Sequence, residues 1–147
     1  PKRIVFIAPQ KLSHPEGLKY LKIPSQGNGY TMAEWHFYAA GPSKTNDKKR
    51  WTTGTAEEKQ LIKNSIEVAV DWQKRSGIYT WVGAWMSGDY NKGDNYSVKE
   101  QIAFASFMTE QLDKYGISFA INADDHFYDY QAEDWIPKYK YLLNKIF

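Results

Sequence analysis

The sequence predicts an α/β fold built on a parallel sheet, in which short buried strands alternate with amphipathic helices. Three observations carry this. Four short runs are rich in β-branched or aromatic residues, as strands buried on both faces require. Two long helical segments open on capping boxes and close on glycines. Each of those helices runs almost directly into the next apolar run, which is the rhythm of βα units.

The first run is Ile4 to Ala8, and the second is Thr31 to Tyr38. The third spans Thr80 to Trp85 and the fourth Ile117 to Asn122. Thr55-Ala-Glu-Glu58 reads as a capping box: the threonine hydroxyl accepts from the N3 amide and Glu58 reaches back. Leu61, Ile62, Ile66 and Ala69 then fall on one face, and Gly77 ends the helix. Ser97-Val-Lys-Glu100 is a second capping box, followed by Val98, Ile102, Ala105, Met108 and Leu112 at steps of four and three. Gly116 closes that helix. A last helix is expected from about Trp135 to Ile146 with Asp134 as its cap, and a short one from Pro15 to Leu21.

Two architectures fit four βα units: a small open α/β sheet, or half of an eight-stranded (β/α)8 TIM barrel, which takes about 250 residues. The long polar loops after the strands favour the half-barrel, because barrel enzymes carry their chemistry on that face. No Gly-x-Gly-x-x-Gly follows a strand, and Gly27-Asn-Gly29 precedes one and reads as a turn. Half a barrel would leave two open sheet edges and an exposed apolar interior. The 147 residues, which open on Pro1 rather than Met, are therefore expected to be a segment of a longer polypeptide, or to pair with a second copy or half.

Composition bounds the partners. Apolar residues at 42% and charged residues at 24% mark a globular chain. With 19 basic against 17 acidic residues, the net charge of +2 is too even to point to nucleic acid. No apolar run reaches the roughly 18 residues of a membrane span. Cysteine is absent, and the three histidines lack metal-ligand spacing, so neither a disulfide framework nor a zinc site is expected. No cofactor motif is present. Aromatic residues reach 16%, which fits either a large aromatic core or a surface that stacks on the C–H faces of pyranose rings.

The candidate site residues cluster at strand ends. His36 and Tyr38 share one side of the second strand with Glu34, at a period of two. They suit either a packed interior or a mouth that binds substrate. In the third strand, Gly83 and Ala84 stand between Trp81 and Trp85, and Gly83 implies either close helix packing or a narrow site. Asp89, Asn91, Asp94 and Asn95 follow without EF-hand spacing and read as a solvated loop sooner than a calcium site. Asp124 and Asp125, after Asn122, suit turn and capping chemistry or acid–base work.

Taken in order, these segments resemble glycoside hydrolase family 5, the endoglucanase and mannanase family, as the last four βα units of its barrel. Arg3-Ile-Val-Phe-Ile-Ala-Pro9 with Leu18-x-x-Leu-x-x-Pro24 is similar to the fifth strand and its loop. Trp35-His-Phe-Tyr38 resembles the His-x-Tyr of the sixth. Ile78-Tyr-Thr-Trp-Val-Gly-Ala-Trp85 resembles the seventh, whose Gly-Glu carries the nucleophile. Phe119-Ala-Ile-Asn122-Ala-Asp-Asp, with Asp129 and Trp135 after it, resembles the eighth.

The resemblance implies an O-glycosyl hydrolase of cellulase type acting on a β-linked oligo- or polysaccharide, secreted because its polymer lies outside cells. It implies a catalytic group of His36, Tyr38 and position 84, with Trp35, Trp81, Trp85, Asn122 and Asp124 binding substrate. Two departures stand out: Ala84 replaces the glutamate, and Asn122 replaces a sugar-stacking tryptophan. A retaining hydrolase needs two carboxyls about 5–5.5 Å apart, and the family's acid/base belongs to the half not present here. Turnover is therefore expected to be nearly abolished unless Glu34, Asp89, Asp124 or Asp125 substitutes. The alternative function is carbohydrate binding without turnover on the same scaffold.

Overall fold

The computed structural model describes residues 3–25, 29–38, 50–87, 96–122 and 127–146. Four strands form one parallel sheet in the order β1 (Val5–Ile7), β2 (Thr31–Tyr38), β3 (Thr80–Met86), β4 (Phe119–Ile121). That order decides between the two architectures. Right-handed crossovers that always step in one direction put every helix on the same face of the sheet, whereas a doubly wound sheet reverses its order. The helices are neighbours accordingly: α1 (Ala56–Ser76) packs against α2 (Val98–Lys114), and α2 against the short α3 (Lys140–Leu143). The opposite face of the sheet is the concave inner face of a half-barrel.

The helix boundaries follow the sequence signals closely. Both capping boxes form, Thr55 with Glu58 and Ser97 with Glu100. Burial pushes the Glu58 carboxyl up, but hydrogen bonds from Thr52, Thr55 and Gly54 outweigh it and hold the group below its ordinary range. Gly77 ends α1 at φ 69°, where a side chain would be strained. Ile62, Ile66 and Ala69 are buried as expected; Leu61 is not, and lies exposed beside the stripe.

Two elements differ from expectation. Pro15–Tyr20 is a 3₁₀ turn, capped by the His14 side chain. The long last helix is cut short. Tyr128–Asp129 and Asp134–Trp135 pair as the antiparallel strands β5 and β6, followed by a 3₁₀ turn at Pro137–Tyr139 and only then α3. Pro137 is the cause: it has no N–H to donate, and it forces Ile136 to extended geometry at ψ 124°. Asp134 accordingly does not cap a helix; its carboxylate accepts from the Trp135 amide and from Lys140 Nζ, each at 2.7 Å.

The core lies between the sheet and the helices, and it absorbs four of the six tryptophans. Trp35, Trp51, Trp72 and Trp85 are buried there with Phe37 and Phe104. Phe104 of α2 is the hub, its ring touching those of Phe37, Trp51 and Trp85. Of the six tryptophans, Trp81 and Trp135 alone keep substantial exposure, and Trp81 is the one on the inner face.

Among the described residues no strand pairs with the outer edge of β1. Ile4, Val5 and Phe6, in and beside β1, are 59%, 53% and 43% exposed. Three consecutive large apolar residues on an unpaired strand edge are what a sheet shows where a further strand belongs.

Candidate functional site on the inner face of the sheet

The site is built from the alternation of β2 and from a break in the alternation of β3. In β2, Ala33, Trp35 and Phe37 turn to the helices and are buried, while Glu34, His36 and Tyr38 stay half-buried on the inner face. In β3 the register with β2 runs Glu34↔Trp81 and Trp35↔Val82, then jumps to His36↔Ala84. Gly83 is the extra residue of a bulge, a feature that re-aims side chains and recurs beside active sites. The bulge leaves both Gly83 and Ala84 half-exposed and turns Trp85 and Met86 into the core.

Two sequence expectations fail here. The resemblance implied that Trp85 binds substrate beside Trp81; the bulge reverses its phase and turns it to the opposite face. It is 0% exposed, with its ring against Phe104 and Phe119. Trp35 points opposite to His36 by simple alternation and is also 0% exposed, its indole N–H donating to Thr80 Oγ1 at 3.4 Å. Neither presents a surface to a sugar.

Glu34 is the centre of what remains. His36 Nε2 lies 2.7 Å from its Oε1, and the indole N–H of Trp81 donates to Oε2 at 3.2 Å. Because a carboxylate only accepts, the Nε2 of His36 carries the proton in this pair. The carboxyl group lies directly across Gly83. A Cβ at that glycine would sit 2.2 Å from Glu34 Cδ and 2.3 Å from Oε1. The close approach that Gly83 permits is thus made by an acidic side chain on the inner face and not by a helix. Phe6 of β1 braces Trp81 from the other side, with ring centroids 4.9 Å apart. The Tyr38 ring stands edge-on to His36 at 6.3 Å.

The loop after β1 also reaches the site. Lys11, Leu12 and Ser13 all have left-handed φ, at 62°, 55° and 59°. Three such non-glycine residues in a row are sterically costly, and strain of this kind collects at functional sites. Two of their carbonyls are bonded: Lys11 O accepts from the His14 amide at 3.1 Å, and Ser13 O accepts from the His36 amide at 2.8 Å, tying the loop to β2 beside the site. Nothing in Lys-Leu-Ser announces that conformation, since none of the three favours it. Burial, then the nearby Arg50 cation, lowers the pKa of His14 at the end of this loop.

The structure therefore brings His36, Tyr38, Trp81 and Ala84 together on one face and adds Glu34 and Gly83. Asn122 follows β4, half-buried, its backbone N–H donating to Trp85 O at 2.9 Å. Asp124, together with Asp89, Asn91, Asp94, Asn95, Asp125 and His126, lies outside the described residues. Among the described residues no group of three or more His, Asp or Glu could hold a metal ion. A cavity of about 370 Å³ lined by Ile23, Pro24, Gly29, Ile78 and Tyr79 sits at the starts of the strands, the end opposite to Tyr38 and Ala84.

The architecture has close structural counterparts. Over 99% of its length the chain superposes on the cellulose synthase subunit Z from Clostridioides difficile, with a TM-score of 0.77 at 18% identity, and spans 50% of that protein. Endoglucanase Cel5A from Thermotoga maritima gives 0.77 at 16% identity, with 100% of this chain matched to 48% of that one. A tri-modular GH5 (subfamily 4) endo-β-1,4-glucanase from Bacillus licheniformis gives 0.71 at 17% identity, covering 97% of this chain and 27% of that one.

The fold is half of a (β/α)8 barrel. The likeness shows the fold, and the chain spans about half the length of the first two proteins. No protein-family model matches the sequence, and no curated protein matches it significantly.

Proposed function

We propose that the chain is the cleft-bearing part of an endo-β-1,4-glucanase-like glycoside hydrolase of the retaining type, that it binds β-linked glucan or a related polysaccharide, and that Ala84 disables its turnover. One observation carries the reading. On a half-barrel that superposes over nearly its whole length on about half of an endoglucanase, the inner face holds a polar–aromatic group at the place where β2 and β3 meet. Trp81 offers a half-exposed indole for a pyranose face, and Glu34, His36 and Tyr38 offer hydrogen-bonding groups beside it. Position 84 is in register with His36, and the resemblance makes it the position of the nucleophile. An alanine there has no atom that can form a glycosyl–enzyme bond. Asn122 and Asp124 follow β4 in sequence and complete the proposed substrate-binding set.

The β-glucan and the mannan readings stay together, since the Thermotoga maritima enzyme has been crystallised with cellobiose and with mannotriose. A polymer substrate places the work outside the cell. Among the described residues no helix is long and apolar enough to cross a membrane.

The expected result is calorimetric binding of cello-oligosaccharides that weakens about tenfold or more in Trp81→Ala. Absence of binding in the unaltered chain, or binding indifferent to Trp81→Ala, would sink the reading.

The bare inner face and the exposed β1 edge imply that further βα units cover them, either from a longer polypeptide or from a second copy of this chain. Sedimentation of the isolated 147 residues is expected to show self-association. A stable, monodisperse monomer would count against this coverage.

A further inference from the structure

Among the four sheet strands there is one carboxylate, Glu34; β1, the rest of β2, β3 and β4 contain none. Its placement is over-determined. The carboxyl group occupies the volume a side chain at position 83 would need, so the glycine and the glutamate are a matched pair. Among the described residues, His36 Nε2 bonds one oxygen and Trp81 Nε1 donates to the other. A carboxylate offers about four lone-pair directions, so acceptor capacity remains on both atoms. Side chains of Glu34 and His36 are 25% and 26% exposed, open to a ligand yet largely out of water. A charge so placed costs desolvation that an apolar residue on a barrel interior would avoid. It also lies against the residue that precedes Ala84, on the same face.

We propose that Glu34 supplies the fixed negative charge of the cleft in place of a carboxylate at position 84, and that the Glu34–His36 pair recognises the positively charged form of a six-membered sugar ring. The proposal rests on the sugar-cleft reading above and gives that cleft a charge preference. Glu34 is held in place by two hydrogen bonds, and the proposal assigns it electrostatic complementarity to the ligand. The field of a carboxylate in a partly dry site is worth more than in water, and it favours a ring carrying a cation over its neutral isostere. Ligands of this chemistry are protonated iminosugars, in which a ring ammonium stands for the charge that develops at a sugar ring during glycoside cleavage.

The test is calorimetric, on the 147-residue chain, with cellobiose and with a cellobiose-sized piperidine iminosugar protonated at neutral pH. In the unaltered chain the iminosugar is expected to bind at least about tenfold more tightly than cellobiose. In Glu34→Gln that preference is expected to fall to within about twofold, whatever happens to absolute affinity. Gly83→Ala, which evicts the carboxylate without removing it from the chain, should lose the preference too, and it serves if Glu34→Gln fails to fold. Cellobiose binding with no preference for the iminosugar overturns this inference and leaves the cleft reading standing. A preference that survives both substitutions also overturns it. If neither ligand binds, the two readings fall together.

Discussion

Ala84→Glu is expected to switch on hydrolysis of soluble β-1,4-glucan by several orders of magnitude in the longest natural polypeptide that contains this sequence. Removing one member of a catalytic unit costs on the order of 10⁴ to 10⁶ in kcat, and restoring it recovers a comparable factor when the rest of the unit is in place. The register supports the substitution sterically: Ala84 is half-exposed on the inner face, opposite His36, so a longer side chain there meets the cleft and not the core. It also creates a like-charge neighbour for Glu34, whose carboxyl group lies across Gly83. Close carboxylates resist joint ionisation, so the restored enzyme is expected to gain further when Glu34→Gln accompanies Ala84→Glu. Reducing-sugar release from the Ala84 form, the single variant and the double variant makes the comparison. If all are inert yet bind oligosaccharide, the carbohydrate-binding reading replaces the hydrolase. Activity already present in the Ala84 form would mean that another acid does the chemistry, and Glu34 is the first to replace.

What was legible in the sequence was whatever local rules specify. β2 runs from Thr31 to Tyr38 as its composition indicates, and α1 and α2 begin after Thr55 and Ser97 because both capping boxes form. The half-barrel followed from strand–helix rhythm and long loops, and the strand order bears it out. What was not legible depends on contacts distant in sequence. The glycine at position 83 leaves the space that the Glu34 side chain, on the neighbouring strand, occupies. Alternation counted along β3 alone would put Trp85 on the face of Trp81, and the register shift reverses it. The signal was present in two separate pieces, a glycine inside a strand and an acid in phase with His36, and only the pairing of β2 with β3 joins them. The last helix failed by a local rule overlooked: Pro137 inside the apolar pattern. The left-handed run at Lys11–Ser13 had no signal at all.

The second large effect concerns the support beneath the site. Phe104→Ala is expected to lower the unfolding free energy by about 3–5 kcal/mol, the usual range for emptying a fully buried aromatic position. Phe104 is 0% exposed, and its ring meets Trp51 edge-on at 5.4 Å, Trp85 at 5.9 Å and Phe37 at 6.2 Å. One side chain thus joins α2 to both central strands, and large aromatic rings around it cannot collapse inward without leaving their own rotamers. A loss of that size is a large share of the roughly 5–15 kcal/mol that holds a domain together. Urea denaturation gives the number, and a loss below about 1 kcal/mol would show that α2 does not carry the sheet as described. The substitution should also be felt on the other side of β3. Trp85 is held in the core by Phe104, and its phase is what leaves Gly83 and Ala84 facing inward. With that anchor gone, the bulge has less to hold it against sliding back into regular alternation. Such a slide would press a side chain's worth of backbone against the Glu34 carboxylate. Sugar binding by Phe104→Ala is therefore expected to weaken at temperatures where the variant is still folded, although Phe104 touches no ligand.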